Sequence, residues 1–254
     1  MAYRVFDGSE TPDDLILRAW RLRLRHVALE DDMDETEDLA AFTRTIRSPD
    51  GVFSAEQSAS GRLSGMVLFR HLKARADGRT VDVICPVFFF LDRGQRGGTW
   101  LAYAFLAALW RMRGSVSLRN LWAGCVTYLP GFLSMSAQIG SVHLVGPDTP
   151  PFERKLLDAV GVALAGVRYD PDRGLVRLPT RPRDAANRIP SRRWLQLARD
   201  RYLERNPTWM SGYGAVAVGR ITLASLAAAV SRSFIHRRLR TRTSGAGIPL
   251  SPVT

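Results

Sequence analysis

Apolar and polar positions change period several times along the chain of 254 residues, and each change predicts an element. A first helix is expected near Pro12, where Thr11 can cap, Pro12 suits the first turn and Asp13 and Asp14 favour the positive end of the helix dipole. Leu15, Leu17, Leu22, Leu24 and Val27 give it an apolar side, and Arg18, Arg21, Arg23 and Arg25 a polar one. Glu30 to Asp38 holds seven acids in nine residues and reads as a solvated loop, with a helical turn or two at Leu39 to Ile46. After Pro49-Asp50-Gly51 the pattern predicts a β-hairpin, Val52 to Glu56 and Arg62 to His71, joined by the turn-like Ser58 to Gly61. A second turn at Asp77-Gly78 leads into Thr80 to Leu91, an almost uncharged run that suits a central strand covered on both faces. Pro86 cannot donate to a ladder, so this strand is expected to be bulged or unpaired on one side there.

A helix follows from Thr99 to about Arg113, apolar at Leu101, Phe105, Ala108, Leu109 and Met112 and stopped at Gly114. Next come a strand at Leu121 to Thr127, a helix at Phe152 to Leu164 and a hairpin at Val167 to Leu178 about Asp170-Pro171-Asp172-Arg173-Gly174. Past Pro179 the chain is rich in proline and arginine, then helical from Arg192 to Glu204 up to Asn206-Pro207. Gly214 to Phe234 is largely apolar, with Arg220 and Arg232 as its charges, and runs into the basic His236 to Arg242. This stretch reads as a helix that packs on the core or lines an acyl-chain tunnel before a disordered tail. Its other reading is a membrane-surface helix with a polybasic anchor. The resulting division is a core over 1–180 and a basic helical extension over 181–254.

Charge sharpens that division. The net +12 lies wholly in the C-terminal part: Met1 to Pro150 carries 17 Lys+Arg and 17 Asp+Glu, and Pro151 to Thr254 carries 19 and 7. An excess so placed suits an anionic partner such as an acidic carrier protein or a membrane surface. No aromatic interleaving or reading motif points to nucleic acid. Met1 to Asp14 has no apolar run and four acids, so a cytoplasmic start is expected. Cys85 and Cys125 are the two cysteines, with no metal-type spacing, so neither a disulfide framework nor a metal site is expected.

Between the uncharged strand and the helix stands Arg93-Gly94-Gln95-Arg96-Gly97-Gly98-Thr99. Glycines there let the backbone turn sharply and offer N–H groups to a pyrophosphate at a helix N-terminus, and Arg93 and Arg96 add charge-assisted contacts. This turn, with the order of elements from Val5 to Leu178, resembles the GNAT acyltransferase superfamily. The motif itself matches from Arg62 to Met112, including Arg62-Leu63-Ser64-Gly65-Met66-Val67 as the family's third strand. The family signature is Arg or Gln, two residues, Gly, one residue, then Gly or Ala; here Arg96 stands at the middle glycine.

The resemblance implies an α/β fold with a mixed, largely antiparallel central sheet flanked by helices. It also implies transfer of an acyl group, of medium or long chain, from acyl-CoA, or from the phosphopantetheine arm of an acyl carrier protein, to an amine, in the manner of the long-chain N-acyl amino acid synthases that the chain resembles within the superfamily. Phe89, Phe90 and Leu91 would offer backbone N–H groups to the thioester and Arg93 to Thr99 would hold the phosphates. Asp82, eleven residues before Arg93, is similar in position to the carboxylate base of some members, and is otherwise a strand-end aspartate. Tyr128 is similar to the tyrosine acid, and is otherwise a packed aromatic in a turn. Glu56 is a reserve base, and His26, His71 and His143 are read as structural or exposed rather than catalytic. Phe88, Phe89, Phe90, Trp100 and Trp122 could enclose an acyl chain or be core. The alternative function is a non-catalytic or repurposed GNAT-like scaffold that binds a membrane surface or acidic partner through its basic C-terminal part.

Overall fold

The computed structural model describes residues 2–57, 61–92, 100–183, 192–228 and 231. In chain order the strands are β1 (Ala2–Asp7), β2 (Val27–Leu29), β3 (Gly51–Gln57), β4 (Leu63–Ala76), β5 (Arg79–Leu91), β6 (Leu121–Thr127), β7 (Tyr169–Asp170), β8 (Leu175–Arg177), β9 (Thr180–Pro182) and β10 (Tyr213–Arg220). The helices are α1 (Asp13–Leu24), α2 (Glu35–Ile46), α3 (Trp100–Arg111), α4 (Leu129–Ile139), α5 (Pro151–Ala165) and α6 (Arg193–Arg205). Eight strands form one sheet in the order β1-β3-β4-β5-β6-β10-β8-β7. Every neighbouring pair is antiparallel except β5 and β6, which run parallel over Asp82↔Leu121, Val83↔Trp122 and Ile84↔Ala123. The mixed, largely antiparallel sheet flanked by helices is therefore as expected.

Side-chain alternation sends two kinds of surface to two faces. On one face Val67, Phe69, Ile84, Ala123 and Cys125 meet Trp100, Ala104 and Ala108 of α3 and Leu129, Phe132 and Met135 of α4. On the other, Val81, Val83 and Cys85 lie under Leu156, Leu157 and Val160 of α5, while Phe53, Met66 and Leu68 lie under Leu15, Ala19 and Leu22 of α1 and Phe42 and Ile46 of α2. Each fully buried Leu or Phe here contributes about 1.5–3 kcal/mol. Gly124 lets α5 settle on β6, because a Cβ there would stand 2.8 Å from Val83 Cγ1 and 3.2 Å from both Val160 methyls.

Several elements depart from the sequence reading. Ala2–Asp7 is a strand, paired along its length with β3, although its six residues are too short and mixed to show a period. The acidic run is an exposed loop as far as Asp34, as expected, but from Glu35 it forms the first turn of α2. Asp34 caps α2 by accepting from the Thr36 and Glu37 N–H groups, which hold its carboxyl below the ordinary range, and Asp38 is buried against Arg23. Glu30 and Asp31 pair with Arg177 and Arg181, so the acids fasten the first half of the chain to the second. Leu129–Ile139 is a helix where the Tyr128-Leu129-Pro130-Gly131 sequence suggested a turn; Pro130 sits in its first turn, where proline is tolerated.

The largest correction is β10. Its segment was read as helical, yet it lies between β6 and β8 with Val216 and Val218 on one face and Ala215 and Ala217 on the other, all buried. A strand covered on both faces shows no amphipathic signal. The sheet is thus completed by residues beyond 180, inside the segment set apart as an extension. The basic tail from 232 lies outside the described residues.

Candidate functional site

After Ile84↔Ala123 the parallel ladder ends, and β5 and β6 part. The cause lies in β5. Leu68 pairs with Phe88 and Phe69 with Pro86, so Val87 is an extra residue and the strand bulges beside its proline, as the sequence predicted. Beyond the bulge Phe88 and Phe90 pack on the α1–α2 side, and Phe89 and Leu91 on the α3–α4 side. The Asp92 N–H donates to the Ser64 carbonyl of β4 at 2.8 Å. Strand peptides alternate direction, so the N–H groups of Phe89 and Leu91 point away from β4, toward the gap.

A cavity of about 1540 Å³ fills this gap and reaches both faces of the sheet. Toward α3 and α4 its walls are uncharged, with Phe89, Leu101, Phe105, Cys125, Leu133 and Ile139 prominent. Toward α1, α2 and α5 it is lined by Phe42, Phe88 and Phe90 together with Arg23, Arg25, Arg62, Arg70 and Arg168, and with Asp38 and Asp92 as its acids. A two-stranded ribbon of β2 and β9 borders this side, Val27 opposite Pro182 and Leu29 opposite Thr180. The Arg183 side chain secures the ribbon by donating to the Leu24 and Val27 carbonyls.

Tyr128 lines the cavity at the start of α4, where β6 ends. Its hydroxyl donates to the Thr180 carbonyl of the ribbon, with Thr180 Oγ1 at 3.3 Å. Burial pushes the phenol up to about 12, against the opposing effect of the Thr180 hydrogen bond, so the proton is retained at neutral pH. Phe89, Phe90 and Leu91 also line the cavity. The glycine-rich residues Arg93, Gly94, Gln95, Arg96, Gly97, Gly98 and Thr99 lie outside the described residues. They join the end of β5 at this cavity to the start of α3.

The two expected carboxylate bases are elsewhere. Asp82 sits at the closed end of the β5–β6 ladder, where its Oδ1 is 2.7 Å from His71 Nε2 and its Oδ2 accepts from the Ser117 N–H at 2.9 Å. Glu56 is buried in β3, 3.4 Å from the Ser64 hydroxyl. Neither lines the cavity among the described residues. The side chain that sequence reasoning passed over is His26, which does line it, with its ring centroid 5.8 Å from that of Phe90. Nothing in its sequence context marked it, because the turn after α1 meets β5 only in the folded sheet. Of the aromatic residues named as acyl-chain walls, Trp122 is packed against Phe152 on the α5 side and Trp100 is stacked on Phe89.

No protein-family model and no curated protein matches this sequence. Among solved structures, the chain is similar to an Enterococcus faecalis protein described as "Probable N-Acyltransferase", at 11% identity over 57% of this chain and 33% of that one, TM-score 0.40. It spans a third of that protein's length. It is also similar to the aminoglycoside 6'-N-acetyltransferase AAC(6')-Ig of Acinetobacter haemolyticus, at 12% identity over 59% of this chain and 96% of that one, TM-score 0.41. A third similar structure is an acetyltransferase of Trypanosoma brucei, at 14% identity over 59% and 96%, TM-score 0.36.

Proposed function

We propose that the chain is an N-acyltransferase whose donor thioester lies between the parted strands β5 and β6. The observation that carries this is the cavity through the sheet, with outward-pointing Phe89 and Leu91 N–H groups on one wall and a protonated Tyr128 on the other. Extended backbone that has lost its strand partner suits the amides of a phosphopantetheine arm, and its peptide N–H groups suit the oxyanion that develops on the thioester carbonyl. The strand residues that border the slot, Val87, Phe88, Phe89, Ala123, Cys125 and Val126, carry no charge, which matches the arm's apolar stretches.

In the reaction the amine nitrogen attacks the thioester carbon, the C–N bond forms and the C–S bond breaks. His26 takes the proton lost by the amine, and the Tyr128 hydroxyl gives its proton to the departing thiolate. His26 replaces Asp82 and Glu56 as base because it borders the cavity and they do not. Coenzyme A and a carrier-protein arm present the same thioester, and the C-terminal positive charge suits an acidic carrier.

The test is incubation of the pure protein with acyl-CoA and acyl-carrier-protein panels and candidate amines, with mass spectrometry for acylated product and a thiol assay. Thiol release coupled to amide formation is expected. Absence of thioester binding across both panels refutes the reading and leaves the non-catalytic scaffold.

A further inference from the structure

We infer that the protein docks on an anionic lipid surface through the helical layer that covers the α3–α4 face of the sheet. The two faces are covered by helices of different kind. α1, α2 and α5 carry thirteen charged residues among thirty-nine, whereas α3 and α4 carry one among twenty-three, Arg111. A helical stretch over 223–228, also uncharged, joins this layer, with Leu226 packed in the same core cluster. α3 sends Leu101, Phe105 and Leu109 inward, so Tyr103, Leu106 and Trp110 fall on its outer side. Trp110 is 68% exposed, Leu223 75% and Leu197 of α6 62%. These tips gather at the closed end of the β5–β6 ladder. Just past α3, the Ser117 N–H donates to Asp82, and the Ile221 N–H donates to the Leu121 carbonyl at the start of β6. Trp194, one turn before Leu197, meets Ile139 at the end of α4 and Ala228 in a small cleft. Trp110, Leu223 and Trp194 do not line the large cavity, so this patch stands apart from the donor slot.

The charge around the tips is of one sign. Residues 93–147 and 205–254, which supply α3, α4 and the 223–228 stretch, contain no Asp or Glu and hold five and seven arginines. The whole net charge of +12 lies there, since the rest of the chain carries 24 Lys+Arg and 24 Asp+Glu. Arg111 is paired with Asp7 at 2.7 Å. Arg113, Arg119, Arg192, Arg193 and Arg220 are exposed and make no ion pair among the described residues. The Arg113 guanidinium lies over the Trp110 ring, 4.4 Å from its centroid. Tryptophan and leucine tips flanked by unpaired arginines suit a bilayer interface, where the apolar tips enter the headgroup region and the guanidinium groups meet lipid phosphates. A second copy would set like charge against like. An acidic protein would answer the arginines, but convex apolar tips need a matching groove in a folded partner and none in a fluid bilayer. α3 has 12 residues, short of the about 20 that span a bilayer, so it lies along the surface.

Co-sedimentation of the full chain is measured with vesicles of phosphatidylcholine alone and of phosphatidylcholine and phosphatidylglycerol in equal parts, at low and physiological salt. Binding to the anionic vesicles is expected, weakened by salt. Trp110→Ser with Leu223→Ser is expected to lower the partition coefficient by about tenfold or more, because two apolar tips no longer leave water. Arg113→Gln with Arg119→Gln is expected to lower it by roughly fivefold per arginine. Val162→Ser with Val167→Ser removes exposed tips at the end of α5, on the other face, and is expected to leave it unchanged. Far-UV circular dichroism checks that each variant is folded. No binding to anionic vesicles, or equal binding to both kinds, overturns the inference. So does native-like binding in both the tip and the arginine variants, which assigns the contact to the arginines from Arg232 on, and so does an equal loss in the Val162 and Val167 variant. Self-association without lipid that the tip variant abolishes assigns the face to a second copy and overturns it too. Binding of soluble polyglutamate at the vesicle affinity, unaffected in the tip variant, does the same in favour of an acidic protein.

Discussion

Arg23 and Asp38 form an ion pair inside the protein, 2.5 Å between Nη1 and Oδ2, with side-chain exposures of 7% and 5%. The Trp20 indole N–H donates to the same carboxylate oxygen at 2.7 Å, and the Arg23 guanidinium lies over the Phe42 ring. The pair locks α1 to α2 along one wall of the cavity. Asp38→Ala leaves a buried guanidinium without its counter-charge and is expected to cost about 3–5 kcal/mol, read by urea unfolding. The double variant Arg23→Met, Asp38→Leu is expected to recover most of that loss, because it removes both charges together.

Tyr128→Phe is expected to lower kcat by about 10²- to 10⁴-fold, the usual range for a positioned proton donor. Loss of its hydrogen bond to Thr180 is expected to lower stability by about 1 kcal/mol. Because burial holds the phenol near 12, the hydroxyl keeps its proton from neutral pH through pH 9. The rate–pH profile of the native chain should therefore show no fall across that range from this group.

His26→Gln preserves the size and polarity of the side chain but cannot take up a proton. A fall in kcat of at least a hundredfold, with the donor KM retained, is expected in steady-state kinetics. Asp82→Asn, at the closed end of the ladder, is expected to leave kcat within a few-fold of the native value.

Gly65 faces Leu91 across the β4–β5 pair, and a Cβ at Gly65 would stand 2.5 Å from Leu91 Cδ2. The contact is with the far end of a flexible side chain, so Gly65→Val is expected to displace Leu91 within the donor slot. The KM for acyl-CoA should rise about tenfold for a loss of about 1.4 kcal/mol of binding, with the acceptor KM unchanged.

Both cysteines are buried, and burial raises both thiols, Cys125 to about 12. At pH 8 each is a protonated thiol, and the thiolate is the reactive form. Neither is expected to react with Ellman's reagent in the folded protein over an hour, and both should react at once in guanidinium chloride.

The elements legible in the sequence were those with a local cause. Pro86 announced the β5 bulge because a missing N–H is a property of one residue. Asp77-Gly78 announced its turn because both residues adopt positive φ, 47° and 71°. What stayed hidden depended on distant partners. The charge of Asp38 gave no sign that Arg23, fifteen residues earlier, would bury it. The alternating alanines and valines of β10 looked like a weak helix until β6 and β8 were placed on either side. At the candidate site, Tyr128 and Phe89 to Leu91 line the cavity and Asp82 and Glu56 do not, since spacing along a strand does not say where its neighbour departs. His26 needed the whole fold, since it reaches Phe90 from a different part of the chain.

The gap between β5 and β6 is tested most directly by amide hydrogen exchange with and without a non-hydrolysable acyl-CoA thioether. Peptides spanning Phe88–Leu91 and Val126–Tyr128 are both expected to gain protection at saturating ligand, because their backbone borders the slot. Unchanged exchange in both segments, with ligand bound and protection appearing elsewhere, would contradict the assignment of this gap as the donor site.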